Sequence, residues 1–122
     1  MDEKPEDKLL REVRQFLQEF KSLLDENGFF ITDRQKNSQA LLDLGLTAKQ
    51  REDEIRSISV LDYYAGPKAD KYEKGMYWEF GKEIGGVEVY IKLKIGGTPA
   101  REQAICMSFH KAERRMRYPF KD

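Results

Sequence analysis

The chain has 122 residues, with 22 Lys and Arg balanced by 22 Asp and Glu, one histidine, one cysteine and 39% apolar residues. That length suits one domain over residues 1–122; the acidic start Met1-Asp2-Glu3-Lys4 is unlike a secretory signal, and no apolar run nears the ~20 residues that cross a bilayer. A lone Cys106 excludes an intrachain disulfide and fits a reducing, cytoplasmic setting, while zero net charge speaks against nucleic-acid binding through the whole surface.

From Asp7 to about Glu26, Leu9, Leu10, Val13, Phe16, Leu17, Phe20, Leu23 and Leu24 recur at spacings of three and four, which predicts an amphipathic helix. Pro5, Glu6 and Asp7 suit its start and Asn27-Gly28 its stop. Phe29-Phe30-Ile31 reads as a short edge strand. Thr32-x-x-Gln35 and Thr47-x-x-Gln50 have the form of capping boxes and predict two further helices, the first ended by Gly45. Gly66-Pro67 signals a turn, and the polar stretch 65–75 is expected to be a mobile loop. Residues 1–6 and 119–122 are expected to be flexible ends.

Beyond the loop the hydrophobic period becomes two. Met76 to Phe80 alternates, Gly85-Gly86 permits a tight hairpin, and Val87, Val89, Ile91, Leu93 and Ile95 share one face of a long strand. Gly96-Gly97-Thr98-Pro99 turns the chain. A returning strand over Glu102–Phe109 is expected to bury Ile105, Met107 and Phe109. Helices first and hairpin-linked strands after predict an α+β fold, with N-terminal helices on one face of a mostly antiparallel sheet.

The pleat then fixes the opposite face. It should carry Tyr77 and Glu79 from the first strand, between core-facing Met76, Trp78 and Phe80. The second should give Glu88, Tyr90, Lys92 and Lys94. The third should give Ala104, Cys106 and Ser108, with His110 just beyond. Alternation alone equally describes an ordinary solvent-facing sheet, and a single histidine is more often structural than catalytic. Cys106 and His110 would lie ~13 Å apart along an extended strand, too far to share a metal ion, so neither metal nor cofactor is expected. Residues 61–122 hold 12 basic and 9 acidic side chains, against 10 and 13 in residues 1–60. The excess sits where Arg114, Arg115 and Arg117 could hold phosphates, stay solvated, or meet an acidic protein.

From about Phe20 to His110 the sequence resembles the MqsR family of bacterial toxins, messenger-RNA endonucleases within the RelE-like fold group. The residues that carry the resemblance are Gly28, Thr32, Leu44-Gly45-Leu46, Ser59, Asp62-Tyr63-Tyr64, Trp78, Val89-Tyr90-Ile91-Lys92 and Ser108-Phe109. It implies a RelE-like sheet, metal-independent mRNA cleavage, and a neighbouring antitoxin with a zinc-finger or helix-turn-helix part. The family's sheet tyrosine falls on Tyr90. Its glutamine after the tryptophan falls on Glu79, and its lysine after Ser-Phe on His110. A further lysine falls on Ala65, with Lys68 the nearest in this chain.

Metal-free cleavage needs a base for the 2′-OH proton, a cation for the phosphate and an acid for the 5′ oxygen. An imidazole can serve as base or acid near neutral pH, which makes His110 the expected acid/base. Tyr90 would be its partner, Glu79 could be the base with His110 then the acid, and Lys92 would help to stabilise the phosphate charge. Lys68, Lys94, Arg114, Arg115 and Arg117 would bind substrate. The rival readings are a non-catalytic module binding RNA or protein through the same face, and a toxin of the same fold group aimed at a protein such as DNA gyrase.

Overall fold

Helix α1 (Pro5–Asn27) buries Val13, Phe16, Leu17, Phe20 and Leu24, the stripe that the three-and-four spacing predicts. The computed structural model describes residues 2–32 and 34–121. Strand β1 (Phe29–Ile31) follows, then α2 (Gln35–Leu44) and α3 (Ala48–Arg56). The Thr47–Gln50 capping box forms in full, each side chain holding the other's backbone N–H.

The Thr32–Gln35 box does not form. The backbone N–H of Thr32 donates to the Cys106 carbonyl at 2.9 Å, so Thr32 prolongs the β1 pairing and α2 starts only at Gln35, with Arg34 at its cap. The helix is fastened instead by Asn37, 2% exposed, whose amide donates to the Thr32 and Met107 carbonyls at 2.9 and 3.2 Å.

A short 3-10 turn at Val60–Asp62 leads into β2 (Tyr63–Ala69), β3 (Met76–Ile84), β4 (Val87–Thr98) and β5 (Arg101–Lys111). The sheet runs β1-β5-β4-β3-β2, antiparallel except for the parallel β1–β5 edge. Gly85 and Gly86 both take positive φ, as the tight β3–β4 hairpin requires. Most of the expected loop 65–75 is edge strand: Ala65 pairs with Glu79 and Lys68 with Tyr77, with register shifts between. Only 70–75 remains a loop, and Asp70 pins it by accepting from the Tyr72 backbone and from Lys94.

The core lies between α1 and one sheet face. Phe16 stacks on Trp78 at 5.3 Å, and Phe80, Val89, Ile91, Leu93 and Phe109 are fully buried beneath. Met76, expected there, is exposed at the strand's outer end. The larger departure is in β5. Lys92 pairs with Ser108 but Leu93 with Cys106, so Met107 is an extra residue, a β-bulge that reverses the strand's alternation. Ala104 and Cys106 therefore point into the core, and Ile105 and Met107 do not. The strand was expected to bury the opposite set. Past the bulge, Phe109 faces inward while Ser108 and His110 reach the open face.

Residues 112–121 cross that open face toward the β2 edge. Tyr118 donates to Glu88 at 2.9 Å, Met116 is buried, and Phe120 packs on Tyr63 at 5.4 Å. Residues 119–121 are thus held by packing, contrary to the expected flexible end. At the other end Arg11 reaches Glu3 with two hydrogen bonds of 3.1 Å, and α1 already starts at Pro5. Met1 and Asp122 lie outside the described residues.

Candidate active-site cleft

Three cross-strand rows build the open face. Gly81, Tyr90 and His110 form one; Ala65, Glu79, Lys92 and Ser108 the next; Lys68, Tyr77, Lys94 and Ile105 the third. Gly81 leaves room for the tips of Tyr118 and Met116, since a Cβ there would come within 2.4 Å of the Tyr118 hydroxyl and 2.9 Å of Met116 and those side chains would have to shift. The crossing segment thereby lies flat and walls one side of a cleft of about 410 Å³. Tyr90, Glu79, Lys92, Ser108 and His110 line it from the sheet. Tyr64 and Lys68 of β2 close the second side, and Arg34, Glu113 and Arg114 stand at the third.

Glu79 is the anchor of this cleft. It is 6% exposed, and Tyr90 donates its hydroxyl to Oε2 at 2.6 Å. The Lys68 ammonium meets Oε1 at 2.6 Å as an ion pair, off the line of a well-aligned hydrogen bond. Burial first, and then the bond to Glu79, raise the Tyr90 phenol well above its usual range, so it stays a neutral donor. The same carboxylate raises Lys68, which keeps its charge. Both oxygens of Glu79 are engaged, so its part is to orient Tyr90 and Lys68 rather than to accept a substrate proton.

His110 lies beside Tyr90, ring centroids 5.5 Å apart. Its Nδ1 is 3.0 Å from the Lys111 carbonyl, which can only accept, so Nδ1 carries the proton. In the neutral form of the ring this tautomer leaves Nε2 bare, the arrangement a general base needs. Lys92 lies over the Tyr77 ring at 4.5 Å, and burial, followed by the nearby Arg34 charge, lowers its pKa.

Six of the residues singled out in the sequence therefore share the cleft: Glu79, Tyr90, Lys92, His110, Lys68 and Arg114. Three stand apart. Lys94 is buried in an ion pair with Asp70 at 2.7 Å, and Arg115 and Arg117 are exposed outside the cleft lining. Cys106, expected on the open face, is fully buried and its thiol is pushed up to about 12 by desolvation, which leaves it inert. Arg34 and Glu113 were not singled out from sequence. Both belong to segments that carry no face information, the approach to α2 and the irregular stretch after β5.

The fold and cleft define an α+β protein with a polar, cation-rich groove on the outer face of its sheet. Comparison with family models, curated proteins and solved structures finds no match for the chain. No helix among the described residues is long and apolar enough to cross a membrane.

Proposed function

We propose that the chain is an MqsR-like toxin with a RelE-like fold, a cytoplasmic endoribonuclease that cuts mRNA and is silenced by a cognate antitoxin. The observation that carries this reading is the meeting of Tyr90, the Glu79–Lys68 pair, Lys92 and His110 in one cleft, drawn from three strands and an edge. Supporting it is the resemblance through Asp62-Tyr63-Tyr64, Val89-Tyr90-Ile91-Lys92 and Ser108-Phe109.

In this reading Nε2 of His110 takes the proton from an RNA 2′-hydroxyl. The 2′ oxygen bonds to phosphorus and the bond to the 5′ oxygen breaks, leaving a 2′,3′-cyclic phosphate and a free 5′-hydroxyl. Cleft cations stabilise the charge gathered on the non-bridging oxygens. Tyr90 has one hydroxyl proton, which Glu79 engages in the free protein, so it donates to one of them only on releasing that bond. A cation or water delivers the proton to the departing 5′ oxygen.

One observation favours the non-catalytic binding module: both Glu79 oxygens are occupied, so the cleft has one free base, not two. Induction in growing cells separates the readings. The toxin arrests growth, His110→Ala does not, and the adjacent reading frame restores growth. If wild type and His110→Ala are equally harmless, the toxin reading fails.

A further inference from the structure

The cations around the cleft are not equivalent. Lys68 is matched by Glu79 and Lys94 by Asp70, each at close ion-pair distance. Glu113 is paired with Lys36 of α2, and the neighbouring Arg114 forms no ion pair among the described residues. Among the described residues Arg34, Lys92 and Arg114 line the cleft without an ion pair, and of these Arg34 and Lys92 lie near enough for their charges to act on each other. Ser108 is the cross-strand partner of Lys92 and the residue that the Met107 bulge turns outward.

Two like charges held near each other repel, and they persist where an anion completes the site. The Glu79 and Asp70 carboxylates also act on Lys92, but each is already taken by another lysine. Among the described residues, two of the three unpaired cleft cations, Arg34 and Lys92, thus stand together beside Ser108. That place has an ammonium from the sheet floor, a guanidinium from the cap of α2, and a hydroxyl between strands. A guanidinium can grip two oxygens at once while an ammonium supplies a point charge, a pairing suited to one phosphodiester.

We infer that Arg34, Lys92 and Ser108 form the seat for the phosphodiester that is cut, and that the C-terminal arginines Arg115 and Arg117 do not. This deepens the endoribonuclease reading and rests on it for the word "cut". The binding part stands by itself. Arg34 is exposed at a helix cap, so its substitution leaves the fold intact, and Lys92→Gln removes the ammonium over Tyr77 while keeping a polar side chain at that position.

The probe is a short fluorescent RNA with every 2′-hydroxyl methylated, which cannot cleave itself. Its affinity is measured by anisotropy across a salt series. Arg34→Ala and Lys92→Gln should each weaken binding about tenfold and lower the salt slope by roughly one unit, as loss of one phosphate contact does. Arg115→Ala and Arg117→Ala should bind within about twofold of wild type, where mere loss of surface charge would treat all four alike. The seat is refuted if wild type does not bind the probe. It is equally refuted if Arg34→Ala and Lys92→Gln bind as wild type, or if the two C-terminal variants lose as much. Binding that follows the expected order, with unmethylated RNA left uncut by wild type, keeps the seat and overturns only the nuclease reading.

Discussion

Replacing Asn37 with alanine removes a side chain that makes three hydrogen bonds in a nearly solvent-free place. Its amide donates to the Thr32 and Met107 carbonyls at 2.9 and 3.2 Å, and its Oδ1 accepts from the Phe109 N–H at 2.9 Å. Met107 is the bulged residue, left out of the pairing with β4, and Phe109 lies two positions beyond it. A buried polar group left unpaired costs about 1–3 kcal/mol, and water entering the vacated space recovers part of it, so a net loss of about 3 kcal/mol is expected. For a chain of this size that lowers the melting temperature by roughly 12 °C. Asn37→Asp keeps the acceptor for Phe109 but sets a buried carboxylate against the Thr32 and Met107 carbonyls, so at neutral pH it should be no more stable than alanine. Thermal melting gives the stabilities. Because His110 is the chain's single histidine, its imidazole proton resonances report the bulge without ambiguity. They should move in both variants well below the melting transition. A melting temperature within about 2 °C of wild type, with the imidazole signals unmoved, would refute the part given to Asn37.

Two further outcomes follow from the same geometry. The Lys94 ammonium, with two backbone N–H groups, holds the Asp70 carboxyl down at about 2 against its ordinary 3.8. A depressed acid stabilises the fold above the ordinary value and loses that contribution as pH falls toward 2, so Asp70→Asn should be less stable than wild type at pH 6, with the gap closing between about pH 4 and 2. Parallel acid denaturation curves for the two proteins would contradict this. Gly81→Ala puts a methyl against the ends of the Tyr118 and Met116 side chains, which must turn aside and loosen their hold on the sheet, at a cost of about 1 kcal/mol. Trypsin should then cut after Arg114, Arg115 or Arg117 faster than in wild type, and unchanged digestion would count against the packing described.

Legibility in the sequence followed the strength of the hydrophobic pattern. The α1 stripe and the alternation of β4 needed only periodicity, and they placed Tyr90 and Lys92 on the open face. Alternation misplaced most of β5 because one inserted residue, Met107, reverses every position before it. The bulge has no residue signature: its support is Asn37, 70 positions away. His110 nevertheless lies on the expected face, because it and Phe109 are beyond the bulge and keep the alternation with β4. The stretch 65–75 was read as loop from its polar composition, yet an edge strand needs apolar residues on one face only, and Pro67 is tolerated there. Lys94 was read as free because its strand position is open-facing, and its partner Asp70 lies in a loop whose course no local pattern fixes. Arg34 was passed over because the approach to a helix has no face until the helix is docked.

The most direct measurement is incubation of purified protein with end-labelled RNA in EDTA, with the fragment ends identified. The cleft described here predicts fragments ending in 2′,3′-cyclic phosphate, no cutting by His110→Ala, and a strong loss with Tyr90→Phe. Intact RNA with wild type, or the same cut pattern from His110→Ala, would contradict it.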